Sequence, residues 1–180
     1  VAVTTLSFDI AVLELLLPLT VGATIVLASR DDAQDGAALA AMITRHGVTV
    51  VQATPSSWRL LIESGWGPAP GLKGLIGGEG LPLDLAERLL ERCGELWNLY
   101  GPTETTVWST CWRVEHPQRG IRIGRPIANT TIHILDERLQ PCPVGVPGEI
   151  CIGGEGVTLG YHQRPELTAE RFIADPVRPP

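Results

Sequence analysis

The sequence predicts an α/β fold: a layered, mostly parallel sheet with flanking helices, followed by a smaller β-rich subdomain. Helix-like and strand-like patterns alternate along the first two thirds of the chain, which favours a parallel sheet covered by helices. After about Val114, short strands separated by Gly- and Pro-rich turns take over. We therefore predict an α/β subdomain over 1–115 and an incomplete, distorted-barrel subdomain over 116–180.

The first elements follow from hydrophobic spacing and capping residues. Residues 9–17 carry apolar side chains at helical spacing, with Ser7 or Asp9 available as the N-cap. A short β-branched segment over 24–28 predicts a strand. The Ala-rich segment 36–46 is followed by a glycine and predicts a helix that stops there.

The alternation continues to the end of the α/β part and then gives way to strands. The strand patterns over 48–51, 72–76 and 96–99 are interleaved with helix patterns over 55–63, which has Pro near its start, and 82–92. Later segments are predicted as a linker, two strands and a last short helix, over 116–120, 130–135, 149–153 and 165–172.

Composition excludes several classes of protein. Of the 180 residues, 44% are hydrophobic and 19% are charged, which excludes a disordered chain. With 14 basic and 20 acidic side chains and no Lys/Arg cluster, we expect no nucleic-acid partner. The longest apolar stretch, 10–19, contains Glu14 and Pro18 and is too short to span a membrane. Because the chain starts at Val1 without a signal peptide, we expect an internal piece of a larger cytoplasmic protein.

Three predicted strands end in loops that a doubly wound sheet brings to one crevice, where ligands usually bind. These loops cover 52–55, 77–80 and 98–104. The last of them places Tyr100, Thr103 and Glu104 close together. An aromatic face for a base, a hydroxyl for a phosphate and a carboxylate for Mg²⁺ suggest a nucleotide site.

Each of these features also has a purely structural interpretation. The loop at 98–104 can be an ordinary strand exit, and the glycines at 77–80 a flexible turn. Asp9 is either a helix cap or the anchor of a cation, and local sequence favours the cap. Gln52 is either a satisfied core amide or a pocket wall, while Trp108 is typical of a core residue. These alternatives stay open on local sequence alone.

The order of the motifs carries further information. Six segments occur in sequence, among them Gly-Gly-Glu-Gly and Asn-Leu-Tyr-Gly-Pro-Thr-Glu: 7–14, 77–80, 98–106, 123–126, 148–156 and 160–168. Together they resemble the adenylation domain of nonribosomal peptide synthetases, within the superfamily of acyl-CoA synthetases and firefly luciferase. The resemblance covers essentially the whole chain.

The resemblance implies ATP-dependent activation of a carboxylate to an acyl-adenylate and pyrophosphate, followed by transfer to the phosphopantetheine thiol of a carrier domain. It implies that Tyr100 stacks on adenine, that Thr103 contacts phosphate and that Glu104 helps to hold Mg²⁺; Thr103 and Glu104 form the implied catalytic pair. The residues implied to line the nucleotide are Gly78, Glu79, Gly80, Asn98, Tyr100, Gly101 and Thr103.

The resemblance also implies an amino-acid pocket, in which Asp9 pairs with the substrate α-ammonium. Acyl-CoA synthetases have no such group to bind, so Asp9 favours an amino-acid substrate. The implied pocket residues are Asp9, Ile10, Leu13, Gln52, Ile76, Gly78, Leu99, Val107 and Trp108. This set is similar to the signature associated with glycine, although Gln52 could instead serve a small polar side chain. We expect a small neutral amino acid, glycine first.

The implied site is incomplete within these residues. The phosphate loop is expected before Val1, and the ribose-binding segment and the lid lysine beyond residue 180, so the isolated chain is expected to be inactive. Carrier and condensation domains are the expected partners in the parent synthetase. Two rivals remain: an acyl- or aryl-acid-CoA ligase of the same superfamily, and a catalytically inactive, adenylation-like interaction module.

Overall fold

The computed structural model describes residues 1–177, which contain six α-helices and seven β-strands. The last three residues of the predicted 116–180 subdomain lie outside the described part. The elements in chain order are α1 (Ala11–Thr20), α2 (Arg30–Gln34), α3 (Gly36–Arg45), β1 (Val50–Ala53), α4 (Pro55–Glu63), β2 (Ala69–Ile76), α5 (Leu83–Leu90), β3 (Cys93–Tyr100), β4 (Thr110–Arg113), β5 (Arg125–Pro126), β6 (Thr130–Leu135), β7 (Glu149–Gly154) and α6 (Pro165–Arg171).

The main sheet has five strands in the order β1-β2-β3-β4-β5. The pairs β1–β2 and β2–β3 are parallel, whereas β3–β4 and β4–β5 are antiparallel. The α/β class is confirmed, but the prediction of a mostly parallel sheet is wrong, because the sheet is mixed. The chain reverses directly after β3 and returns as β4 beside it, without the helical crossover that parallel strands need.

The two faces of the sheet are covered differently. Val51, Ile76 and Leu96 lie in one buried cluster with the helices α3, α4 and α5. Successive strand residues point to opposite faces, so Gln52 points away from that cluster and contacts α1 through the carbonyl of Ile10. The helix-covered face is the hydrophobic core, and the α1 face holds the candidate site.

The β-rich part is a ribbon. Strands β6 and β7 pair antiparallel along their full length, from Thr130 opposite Gly154 to Leu135 opposite Glu149. No closed barrel forms within residues 1–177, so the barrel prediction is not met there. Closure needs enough tilted strands to surround an interior, and two strands cannot do so. Among the described residues, no helix has the length and apolarity needed to cross a membrane.

Several predicted elements differ from the observed ones near the N-terminus. Helix α1 starts at Ala11 after the N-cap residue Ile10, and no side chain caps it, so the prediction of Asp9 or Ser7 as the cap is wrong. Residues 24–28 form no strand; Leu27 makes only an isolated bridge to Ala2. A short edge segment paired at one residue lacks the ladder that defines a strand.

The packing of α3 on α4 generates a prediction. A Cβ atom on Gly36, the first residue of α3, would lie 2.4 Å from the carbonyl oxygen of Leu60. Alanine favours a helix by about 1 kcal/mol over glycine. The overlap nevertheless forces the two helices apart, so we expect Gly36→Ala to lower the free energy of unfolding by about 1–3 kcal/mol.

Thermal unfolding of the full-length protein checks this expectation. Gly71→Ala in β2 is the matched control, because a Cβ atom there meets nothing within 4 Å and glycine has no positive φ at that position. The control should leave the unfolding midpoint within the error of the wild type. A Gly36→Ala variant as stable as the control would contradict the close packing of α3 on α4.

Candidate functional site

The candidate site lies at the carboxyl ends of the three parallel strands. Ala53, Ile76 and Asn98 stand in register across β1, β2 and β3, so the loops that follow begin side by side. Those loops are the three that the sequence places in one crevice. The edge formed by the carboxyl ends of parallel strands is the usual ligand site of α/β sheets.

An apolar cluster occupies the α1 side of this edge. Ile10, Val107 and Trp108 are buried together, and Leu13 and Leu99 pack against them. These five residues come from the start of α1, the end of β3 and the turn after it. They are five of the nine residues that the sequence implies for the amino-acid pocket. This cluster is called the apolar wall of the candidate pocket below.

The turn that supplies Val107 and Trp108 has an unusual backbone. Thr106 and Val107 both have left-handed conformations, with φ of 61° and 68°. Such values are costly for β-branched residues and persist only where the surroundings hold them. Here the Ser109 N–H donates to the Tyr100 carbonyl at 2.8 Å, and the Trp108 N–H donates to the Thr106 carbonyl at 2.9 Å. The turn brings Trp108 back beside the end of β3.

Gln52 connects this turn to α1. Its Nε2 donates to the carbonyl of Ile10 at 2.8 Å and to Oε1 of Glu14 at 3.0 Å. Its Oε1 accepts from the indole Nε1 of Trp108 at 2.9 Å. The residue is only 3% exposed. Both amide hydrogens and the amide oxygen are therefore engaged inside the protein, and Gln52 is a satisfied buried amide that also supports the wall.

Glycine at position 77 lets the Trp108 ring close against β2. A Cβ atom there would lie 2.2 Å from Cη2 of Trp108 and 2.8 Å from the carbonyl oxygen of Leu99. Only a hydrogen atom fits between β2 and the indole. Gly77 was absent from the implied pocket, although it belongs to the 77–80 loop that the sequence places at the strand ends.

Ile76 and Gly78, the two implied pocket residues on either side of Gly77, do not belong to this apolar cluster. Ile76 is fully buried in the core under the helices, on the sheet face opposite to the wall. Gly78 has a φ of 84°, and its Cβ direction points towards Thr54 and Phe8. In register, Leu75 is the β2 residue that stands opposite Gln52. Side chains alternate along a strand, so Leu75 and Gly77 share the face of Gln52, and Ile76 does not.

Asp9 lies directly before the cluster and does not cap α1. Its Oδ2 atom is buried and has no hydrogen-bond partner among the described residues. A buried carboxylate oxygen without a partner is costly, and such exceptions in a folded protein call for an explanation. In the chain, this unpaired group directly precedes Ile10, which belongs to the apolar cluster.

The residues implied to contact the nucleotide surround the same edge. Tyr100 ends β3 and is partly exposed, and Thr103 is exposed in a 3₁₀ turn over Thr103–Thr105. Gly101 packs against the backbone of Trp108. Asn98 is 5% exposed and donates through Nδ2 to the carbonyl of Arg122 at 2.7 Å.

The glycine loop after β2 is open. Glu79 accepts a hydrogen bond from Oγ of Ser56 at 2.8 Å, and the Cβ direction of Gly80 meets nothing within 4 Å. Gly78, Glu79 and Gly80 are all exposed. Their backbone is therefore accessible to a ligand at the strand ends.

Glu104 is held by the β-rich part of the chain. Its Oε1 accepts a hydrogen bond from the hydroxyl of Tyr161, and its backbone carbonyl accepts from the N–H of Thr158 at 2.9 Å. The Tyr161 hydroxyl lowers the pKa of the Glu104 carboxyl, and the same contact raises the pKa of Tyr161. A third bond joins Oγ1 of Thr106 to the carbonyl of Gly156 at 2.7 Å. The loop from Gly101 to Thr106 is thus connected to residues 156–161.

Local sequence offered no signal for the role of Tyr161, which stands 57 residues from its partner. Tyr161 also packs edge-on against Phe172, with ring centroids 5.5 Å apart. Within residues 1–177, no cluster of three or more His, Cys, Asp or Glu side chains could hold a metal ion. Glu104 retains a second carboxylate oxygen that Tyr161 does not engage.

Comparison with known proteins shows the family of this chain. The family model described as AMP-binding enzyme matches residues 1–162. The chain is 48% identical over 180 residues to a dimodular nonribosomal peptide synthase of Bacillus subtilis (strain 168), covering 99% of this chain and 8% of that protein.

Two solved structures are also similar. A four-domain nonribosomal peptide synthetase bound to AMP and glycine has a TM-score of 0.94 and 46% identity, covering 97% of this chain and 13% of that one. The AMPPNP-bound form of the synthetase FmoA3 has a TM-score of 0.87 and 30% identity, covering 98% and 20%. The chain thus spans a small part of the length of these relatives.

The fold, the strand-end site and these matches define the class: the chain belongs to the AMP-binding enzyme family. Within that family it is part of the adenylation domain, the adenylate-forming ligase domain, of a nonribosomal peptide synthetase.

The contact between Tyr161 and Glu104 generates a prediction. Tyr161→Phe removes the hydroxyl and keeps the ring that packs on Phe172. We expect the loop around Glu104 to loosen, so that the amide of Thr158, which donates to the Glu104 carbonyl, exchanges its hydrogen faster, on the order of tenfold for one lost bond.

Hydrogen–deuterium exchange of the full-length protein measures this rate. Tyr100→Phe is the matched control, because Tyr100 is the only other tyrosine in the chain and its hydroxyl makes no hydrogen bond within the described residues. If Tyr161→Phe and Tyr100→Phe give the same Thr158 exchange rate, the bond to Glu104 does not hold this loop.

Proposed function

We propose that this chain carries the amino-acid pocket and part of the ATP site of a domain that activates a small neutral amino acid, glycine first. ATP and the amino acid give aminoacyl-AMP and pyrophosphate, and the aminoacyl group then passes to the phosphopantetheine thiol of a carrier domain. A carrier domain and a condensation domain of the same cytoplasmic synthetase are the proposed partners.

Asp9 carries this proposal. Its buried Oδ2 atom has no partner among the described residues, and an α-ammonium group would supply one. A carboxylate paired with an ammonium in a poorly hydrated site is favourable, whereas the same carboxylate left alone is not. This argues against the rival acyl- or aryl-acid-CoA ligase, whose substrate brings no ammonium to this position.

The apolar cluster around Trp108 supports a small substrate. Trp108 closes against Gly77, and Leu13 and Leu99 fill the space beside it. Gln52 has both amide hydrogens and its oxygen committed to protein partners, so it has no donor left for a polar substrate side chain. The alternative of a small polar amino acid is therefore less well supported than glycine. The similar synthetase solved with AMP and glycine supports the same substrate.

The chain's own residues are assigned these roles towards ATP. Tyr100 stacks on adenine at the end of β3, with Asn98, Gly101 and the exposed backbone of Gly78, Glu79 and Gly80 around the adenine and ribose. Thr103, exposed in its 3₁₀ turn, offers a hydroxyl to phosphate. These groups orient the α-phosphate towards the carboxylate that attacks it, which is the positioning contribution to catalysis.

Glu104 is the residue proposed to hold Mg²⁺. Mg²⁺ is usually bound by one or two carboxylates together with the phosphates of the substrate, so one carboxylate with a remaining oxygen fits it. When bound, Mg²⁺ offsets the negative charge that develops on the phosphates. The Tyr161 hydroxyl fixes the orientation of Glu104 by donating to its Oε1 atom. Thr103 and Glu104 remain the proposed catalytic pair.

ATP–pyrophosphate exchange by the full-length protein tests the proposed function. We expect glycine to give the highest rate, alanine a lower one and phenylalanine none. Asp9→Asn should reduce kcat/KM for glycine by about 10²-fold, because the α-ammonium then loses a buried charged partner.

Asp31→Asn, an exposed position on α2, is the matched control and should exchange like the wild type. A preference for a large aromatic amino acid would refute the assignment of a small pocket. Exchange with an aryl acid but with no amino acid would support the CoA-ligase rival, and no exchange at all would support an inactive interaction module.

A further inference from the structure

Glu14 is connected to the pocket wall through Gln52 and has no part in the proposed chemistry. It is a carboxylate on α1 that is only 6% exposed. Its Oε2 accepts from the backbone N–H groups of Val3 at 2.7 Å and Thr4 at 2.9 Å. Its Oε1 accepts from Oγ1 of Thr4 at 2.5 Å and from Nε2 of Gln52 at 3.0 Å.

We infer that Glu14 is a positioning residue for substrate selectivity: it holds the Gln52 amide in the orientation that fixes Trp108 as the wall excluding side chains. This inference rests on the proposed function, because it explains how glycine is preferred over alanine. The three residues, joined by two hydrogen bonds, are called the Glu14–Gln52–Trp108 chain below.

The orientation of the Gln52 amide is determined by its neighbours. The oxygen and nitrogen ends of an amide have nearly the same shape, so shape alone does not distinguish them. The carbonyl of Ile10 and the carboxylate of Glu14 are both acceptors and select the NH₂ end. The Glu14 bond is the charge-assisted one and is the stronger of the two. The amide oxygen is left facing Trp108.

The position of Trp108 depends on that oxygen. The indole N–H is the only polar group of the side chain, and Oε1 of Gln52 is its partner at 2.9 Å. Trp108 is 7% exposed, and its ring lies in the space left by Gly77. A buried donor without an acceptor is destabilised, so an indole without Gln52 Oε1 would move to find a new partner. The wall would then admit a methyl group.

Glu14→Gln tests this arrangement without changing volume. Two backbone N–H groups face the Oε2 position, so the amide oxygen of the new side chain takes that place and its NH₂ takes the place of Oε1. That NH₂ would face Nε2 of Gln52, which is also a donor. Only the Ile10 carbonyl then holds the NH₂ end of Gln52. The contact between two donors displaces the Gln52 amide from its position, and its bond to the Trp108 indole is lost.

The measurement is the ratio of kcat/KM for glycine to that for alanine, by ATP–pyrophosphate exchange with the full-length protein. Selectivity against one extra methyl group in such a pocket is worth roughly 10–200-fold. We expect Glu14→Gln to reduce this ratio on the order of tenfold, mainly through a lower KM for alanine.

Thr4→Val is the matched control. It removes another hydrogen bond to the same Oε1 atom and leaves the bond to Gln52 in place, so it should lower stability and keep the ratio. In a Trp108→Phe background, which has no indole N–H, Glu14→Gln should change the ratio no further. A purely structural role of Glu14 would affect both backgrounds equally.

The outcomes separate the two proposals. If wild type exchanges no amino acid, the proposed function fails and the inference fails with it. If wild type prefers glycine and Glu14→Gln keeps that preference, only the inference is overturned. Should Glu14→Gln not fold, Gln52→Met removes the same bond to Trp108 and spares the Glu14 bonds to Val3 and Thr4. An unchanged ratio in Gln52→Met would equally overturn the inference.

Discussion

The amide of Gln52 joins three segments that are far apart in the chain, and the candidate pocket depends on it. Its partners lie 42, 38 and 56 residues away, on the loop before α1, within α1 and on the turn after β3. A buried amide is tolerated only when its donors and acceptor are paired. The sheet, α1 and the turn must therefore dock together before this group is satisfied. The pocket wall forms as a consequence of that docking.

The turn between β3 and β4 is the second constraint, and it connects the two halves of the site. Its left-handed Thr106 and Val107 are held by backbone bonds to β3 and by the bond from Thr106 to Gly156. One end of the turn carries Trp108, which is bonded to Gln52 in the proposed amino-acid pocket. The other end carries Glu104, which Tyr161 holds beside the residues proposed to bind the nucleotide. A strained backbone at a site of this kind is typical of a position under functional constraint.

Local patterns predicted the elements whose signals are complete within a few residues. Helix α4 has the predicted bounds Pro55–Glu63, because Thr54 caps it and proline occupies the first turn. Strand β6 also has its predicted bounds, Thr130–Leu135. Strand β4 was not predicted, because the turn before it uses two non-glycine residues in a conformation that sequence signals assign to glycine. Asp9 resembled a helix cap because a carboxylate before an apolar helix usually is one.

The α/β class and the family could be predicted from the sequence, because the alternation of elements and the order of motifs are enough for both. The mixed sheet could not, and the site at the strand ends remains a prediction. Tertiary structure alone decided which side chains share a face and which polar groups are already paired. Leu75 and Gly77, not Ile76, face Gln52, because register and side-chain alternation fix that choice. Glu14 and Tyr161 join the site through hydrogen bonds to distant residues, and such bonds leave no local pattern. In the Asn-Leu-Tyr-Gly-Pro-Thr-Glu loop, the sequence shows which residue types are present, but only the structure shows which residues they contact.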